Sequence, residues 1–161
     1  MTNEDFRAGS RVSEASRKED ALIARAAAIL QKRMVGGEAL SSPESATEFL
    51  RMRLANLDRE VFLVVFLDSR HRAIAAEAVF MGTIDGSEVH PRVVARLALQ
   101  HNAAAVICAH NHPSGNPEPS AADRAVTARL KQALALLDIR LLDHFVVTAT
   151  ACTSLASRGW V

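Results

Sequence analysis

The sequence predicts an α/β fold, a mixed β-sheet with helices on both faces. Three observations predict it. Short apolar runs alternate with longer segments whose apolar residues recur every three or four positions. Two of the runs, 61-VFLVVFL-67 and 103-AAAVICA-109, contain no polar residue, as expected of strands covered on both faces. The length of 161 residues, 49% of them apolar, is enough for one domain with a sizeable core.

Residues 1–18 have few large apolar residues and no period, and read as a mobile tail. A helix is expected over 19–36, with Leu22, Ile23, Ala26, Ile29 and Leu30 at helical spacing and Gly36-Gly37 stopping it. Ser42-Pro43 starts the next helix, Ser42 as cap and Pro43 in the first turn, with Ala46, Phe49, Leu50 and Leu54 facing inward. The strand at 61–67 leads through a turn at Asp68-Ser69-Arg70-His71 into a second strand, 73–80, which Gly82 and Asp85-Gly86 end. His90-Pro91 opens a helix carrying Val93, Val94, Leu97 and Ala98. After the strand at 103–109, residues 113–119 form a proline-rich loop. A helix over 121–137 follows, with Val126, Leu130, Leu134 and Leu137 on one stripe, and then a strand over 139–148.

Composition removes several function classes. The formal net charge is +1, so nucleic acid is not supported as the main partner, because phosphate binding usually shows a basic excess. No run of about 18 apolar residues suggests a membrane helix, and the polar, charged first twenty residues are unlike a secretory signal. Cys108 and Cys152 lie in apolar segments and read as free thiols in a reducing cytoplasm.

The segment 108-CAHNHPSGNPEPSAAD-123 carries the chemistry. His110 and His112 are two apart, so in extended chain they share a face with Cα atoms about 6.6 Å apart, while Asn111 points the other way. Both emerge at the end of a buried run, a rigid mount for ligands. Ser120 and Asp123 open a helix in the spacing of a capping box. Capping alone explains them. If the loop folds back, however, Asp123 faces the two histidines. Two histidines and one carboxylate leave one zinc position open, the pattern of a catalytic rather than a structural site. Barrel amidohydrolases with His-x-His need about 250 residues, and zinc nucleobase deaminases need His-x-Glu with Pro-Cys-x-x-Cys; neither fits this chain.

The string HNHPSGNPEPSAAD resembles the metal signature of the JAB/MPN (JAMM) domain, and within it the RadC family, the "DNA repair protein RadC" group. MGTIDGSEVHPRVVARLAL, LLDHFVVT and ALIARAAAILQKR are also similar to RadC segments. The resemblance implies a JAB/MPN, cytidine deaminase-like domain over residues 40–161. It implies one zinc ion held by His110, His112 and Asp123 with water as fourth ligand, Ser120 as stabiliser of an oxyanion, and a glutamate outside the string as acid/base. Glu60, just before the strand at 61–67, matches that glutamate's position. Glu77, mid-strand, is the alternative, and with His144 it is a candidate for supporting the ligands from behind. The implied reaction is hydrolysis of a peptide or isopeptide amide in a peptide or protein substrate. The alternative is a non-catalytic, zinc-binding or recruitment module in DNA metabolism. Longer RadC relatives carry an N-terminal helix-hairpin-helix domain, for which the charged first twenty residues leave no room.

Overall fold

The computed structural model describes residues 14–35, 43–82 and 88–161. In chain order these form α1 (Glu14–Val35), α2 (Pro43–Leu54), β1 (Val61–Leu67), β2 (Ala73–Met81), α3 (Pro91–Gln100), β3 (Ala105–Asn111), α4 (Ala121–Ala135), β4 (Arg140–Val147) and β5 (Cys152–Ser154). A short 3₁₀ turn, Ala156–Arg158, follows. The expected features at Gly36-Gly37, Ser42 and Asp85-Gly86 lie outside the described residues.

The five strands form one mixed sheet in the order β2-β1-β3-β4-β5. Only β3 and β4 run parallel; the other pairs are antiparallel. The reason is connection length. A tight turn at Asp68–Arg72 lets β1 and β2 form a hairpin, whereas β3 and β4 are joined through α4, as a parallel crossover requires. Strand β1 is buried along its whole length because its two faces belong to two cores. Val61, Leu63, Val65 and Leu67 pack with Phe49, Leu50 and Leu54 of α2. Phe62, Val64 and Phe66 pack with Val94 and Ala98 of α3 and with Leu130 and Leu134 of α4. Helices therefore cover both faces, as the sequence predicts.

Several details correct the expectations. Helix α1 begins at Glu14, so residues 14–18 are helical and not tail. Ala, Glu, Arg and Lys there are good helix formers, and extending an existing helix adds one hydrogen bond per residue fixed. The inward face of α1 is set by Ala27 and Leu30; Leu22, Ile23 and Ile29 are exposed, because among the described residues α1 packs chiefly on α2 and β2. Strand β3 starts two residues late and runs on through His110 and Asn111. Those two residues are paired with β4 opposite Val146 and Val147, and His110 also with Phe62 of β1. In α4 the buried positions are Asp123, Thr127, Leu130 and Leu134, while Leu137 lies beyond the helix and is exposed. Strand β5 has only three residues and no alternation that would announce it. Among the described residues no helix is long and apolar enough to cross a membrane.

Cys108 and Cys152 are free and pack into different cores on opposite sides of the sheet. Burial pushes the Cys152 thiol up to about 11 and Cys108 higher still.

Candidate metal centre

The β3–α4–β4 crossover places one constellation at the carboxyl ends of two parallel strands, where α/β sheets commonly form their sites. His110 lies near the end of β3 and His112 is the first residue past it. They share the α3/α4 face. The chain then turns: the Gly115 amide donates to the His112 carbonyl at 3.0 Å, and Gly115 sits at φ +80°, a conformation that costs glycine little. This turn brings the Asn116 carbonyl back to His112 Nδ1 at 2.8 Å. A carbonyl can only accept, so Nδ1 carries a proton, and in the neutral ring Nε2 is left for an ion.

Helix α4 supplies the carboxylate. Ser120 is its N-cap, in extended conformation, and a full capping box forms with aspartate in the place usually held by glutamate. The Asp123 amide donates to Ser120 Oγ at 3.1 Å, and the Ser120 amide and hydroxyl both donate to Asp123 Oδ2 at 2.7 Å. The cap thereby aims the carboxylate at the strand end. His110 Nε2 is 3.0 Å from Asp123 Oδ1, His112 Nε2 is 3.3 Å from Asp123 Oδ2, and the two Nε2 atoms are 3.0 Å apart. Donors held at 2.0–2.1 Å by one tetrahedral ion lie roughly 3.3 Å apart, so this donor set fits a zinc-sized ion. Among the described residues these three are the only group of its kind able to hold a metal.

The electrostatics agree with that chemistry. Burial pushes the Asp123 carboxyl up, but hydrogen bonds from His110, His112 and Ser120 override it and hold it well below the usual carboxylate range. The hydrogen bond with Asp123 raises His112 above the ordinary histidine value against its partial burial, with the Asn116 carbonyl and the charges of Asp123 and Glu60 adding to the effect. Phe62 stacks on His110 with ring centroids 6.2 Å apart and walls the site from the sheet side.

The three ligand candidates lie on the wall of a cavity of about 820 Å³, which Glu60, Ser114, Asn116, Ser120 and Arg129 also line. Glu60 precedes β1, and its carbonyl accepts from the Gly82 amide at 2.8 Å. Glu77 does not line the cavity. It pairs in register with Val64 and its carboxylate meets His101 at the end of α3, so mid-strand placement gives it a different partner.

A profile of the RadC-like JAB domain matches residues 40–160. The chain belongs to the RadC-like JAB domain family. Relatives of this family named "UPF0758 protein" include one from Xanthomonas campestris, 65% identical over 125 residues, which cover 78% of this chain and 56% of that relative. One from Xanthomonas oryzae is 63% identical over the same length and shares. Another, from Vibrio cholerae, is 52% identical over 143 residues, 89% of this chain and 90% of the relative. The chain thus spans about half the length of the Xanthomonas relatives and most of the Vibrio one.

Two residues of this RadC-like site escaped the sequence reading. Asn111 is buried and turned away from the cavity; its Oδ1 accepts from the Val61 amide at 2.8 Å and its Nδ2 donates to the Arg59 carbonyl at 2.9 Å. It therefore grips the chain on both sides of Glu60. Thr127 is buried one turn after Asp123, with its hydroxyl 2.6 Å from the Asp123 carbonyl and 2.6 Å from His144 Nδ1. The i, i+4 spacing from Asp123 and the continuation to Leu130 and Leu134 were the available signal. His144 is fully buried directly behind His110. Burial, helped by the nearby His110, pushes its pKa down to about 3, so it is neutral.

Proposed function

We propose that this chain is a zinc-dependent hydrolase of JAB/MPN type, acting on a peptide or isopeptide amide bond of a peptide or protein substrate in the cytoplasm. The observation that supports it most is the convergence of His110, His112 and Asp123 in one cavity that Glu60 and Ser120 also line. Two imidazoles and one carboxylate suit zinc, and three protein ligands are the number that catalytic zinc sites use. When bound, zinc supplies a Lewis acid that polarises a carbonyl and lowers the pKa of water toward ~7.

The chain's own residues supply the rest. Asp123 is kept negative by its neighbours, and the Asn116 carbonyl holds the single proton of a neutral His112 ring on Nδ1, leaving Nε2 for an ion. Glu60 takes a proton from water and returns it to the departing amine, the role of a general acid/base. The Ser120 hydroxyl donates to Asp123; its hydrogen can turn instead to a substrate carbonyl oxygen as charge develops there.

The test has two parts. Zinc per chain is measured in the wild type and in Asp123→Ala, with one and none expected. Hydrolysis of a peptide library is then compared between wild type and Glu60→Gln, where zinc should stay bound and kcat should fall about 10²- to 10⁴-fold. No zinc under replete conditions overturns the metalloenzyme reading. One zinc with no Glu60-dependent turnover favours a zinc-binding recruitment module instead.

A further inference from the structure

A chain of buried polar groups lies behind the metal ligands, and its hydrogen bonds have only one consistent direction. Thr127 Oγ1 is 2.6 Å from the Asp123 carbonyl oxygen and 2.6 Å from His144 Nδ1, and His144 Nε2 is 2.8 Å from His110 Nδ1. Thr127 and His144 are wholly buried, so water cannot substitute for a missing partner. The Asp123 carbonyl can only accept, and the Thr127 hydroxyl has one hydrogen, which goes there. The hydroxyl oxygen must then accept from His144, whose proton is therefore on Nδ1. The bare Nε2 of a neutral His144 accepts in turn from His110 Nδ1–H. On the neutral His110 ring what remains is the Nε2 lone pair, on the atom that lies 3.0 Å from both Asp123 and His112.

We propose that Thr127 and His144 are positioning residues that fix the tautomer of His110, so that a divalent metal meets an unprotonated Nε2. The two ligand histidines solve the same problem differently. His112 leans on the Asn116 carbonyl, which can only accept. His110 leans on a second imidazole, which can donate or accept and so carries no polarity of its own. Thr127 supplies the polarity. If it were reversed, His144 would donate from Nε2, His110 would have to accept at Nδ1, and its proton would sit on Nε2 where the ion belongs. The chain is anchored on the backbone carbonyl of Asp123, so one ligand residue sets the protonation of another.

This inference rests on the metal reading of the site, and the experiment separates the two. Ring-nitrogen tautomers are read by long-range ¹H–¹⁵N correlation in metal-free wild type at alkaline pH, where the rings are neutral. Zinc Kd is read by competition with a chromophoric chelator in wild type, Thr127→Val and Thr127→Ser. The expectation is Nδ1–H on both His144 and His110 in the wild type. Thr127→Val, which keeps the shape and loses the hydroxyl, should weaken zinc binding about 10- to 100-fold and release the His144 tautomer. Thr127→Ser should restore both. Nε2–H on His144 or His110 in the wild type overturns the relay, whether or not any variant folds; so does a folded Thr127→Val with unchanged tautomers and zinc affinity. A wild type that shows the expected tautomers but binds no zinc overturns the metal reading beneath it.

Discussion

Asn111 separates the two histidines that face the cavity, and its amide works on the opposite side of β3. Period-two alternation makes this unavoidable: if His110 and His112 face one way, the residue between them faces the other. Its partners are the Val61 amide and the Arg59 carbonyl, so the strand that presents His110 also holds the segment that carries Glu60. Asn111→Ala would leave the buried Val61 N–H without a partner, which costs about 1–3 kcal/mol. Urea denaturation of the metal-free protein is expected to show a loss of that size, and an unchanged midpoint would mean that the amide finds another acceptor. The orientation of Asn111 was legible in the sequence because alternation is local. Its partner was not, because it comes from a strand some fifty positions upstream, and only the antiparallel pairing of β1 with β3 brings it near.

At the scale of the element, the hairpin between β1 and β2 carries its own pH dependence. The turn residues Asp68 to His71 were readable from composition, and the structure adds how the carboxylate organises them. Asp68 Oδ1 accepts from the Arg70 and Arg72 amides, both at 2.9 Å, and Oδ2 from Arg72 Nε at 2.7 Å. His71 takes a positive φ of 61° at the turn. The Arg72 amide, against an opposing desolvation, and then the Arg72 side chain and the Arg70 amide hold the Asp68 carboxyl below its ordinary value. A carboxyl with a lower pKa folded than unfolded stabilises the fold above the unfolded value near ~3.9 and loses that contribution as pH falls through the folded value. Asp68→Asn keeps the shape without the charge. It should lower Tm at neutral pH, and the gap from wild type should close as the pH is taken down through 4 toward 3. A gap that stays constant over that range would exclude the carboxylate as its source. In α4 the apolar pattern and the buried face differ. A count of large apolar side chains selects Val126 and Leu137, but the buried stripe starts with two polar residues, Asp123 and Thr127. Their burial is tolerated because each is hydrogen-bonded, a condition that no hydrophobic pattern displays.

For the whole molecule, what the sequence made legible follows from how local each signal is. Strand β1 was bounded correctly because both its faces are apolar, and the convergence of His110, His112 and Asp123 was legible because two of them are fixed by strand period and the third by a helix cap. Strand order, the placement of Glu77 against His101, and the role of the C-terminal segment depend on which distant pieces meet. That segment shows the point most clearly. The Leu155 amide donates to the His144 carbonyl at 2.9 Å, while Asp143 accepts from Ser154 Oγ at 2.6 Å and from the Ala156 amide at 2.9 Å. Beyond it, Arg158 grips both carboxylate oxygens of Glu118 on the proline-rich loop, one of them at 2.9 Å. Trp160 lies under the guanidinium groups of Arg124 and Arg158, at 4.3 and 5.3 Å from its ring centroid. The end of the chain thus braces the loop that carries Asn116 and leads into Ser120. Exposed ion pairs and cation–π contacts contribute little to global stability, so this brace should govern local order more than the fold as a whole. In Trp160→Ala, unfolding free energy is expected to fall by about 1 kcal/mol or less, while amide exchange speeds up across residues 114–118 and stays slow in β3. Equal acceleration in loop and strand would show that Trp160 supports the fold as a whole, and unchanged loop exchange would show that the turn at Gly115 and the capping box hold the loop without it.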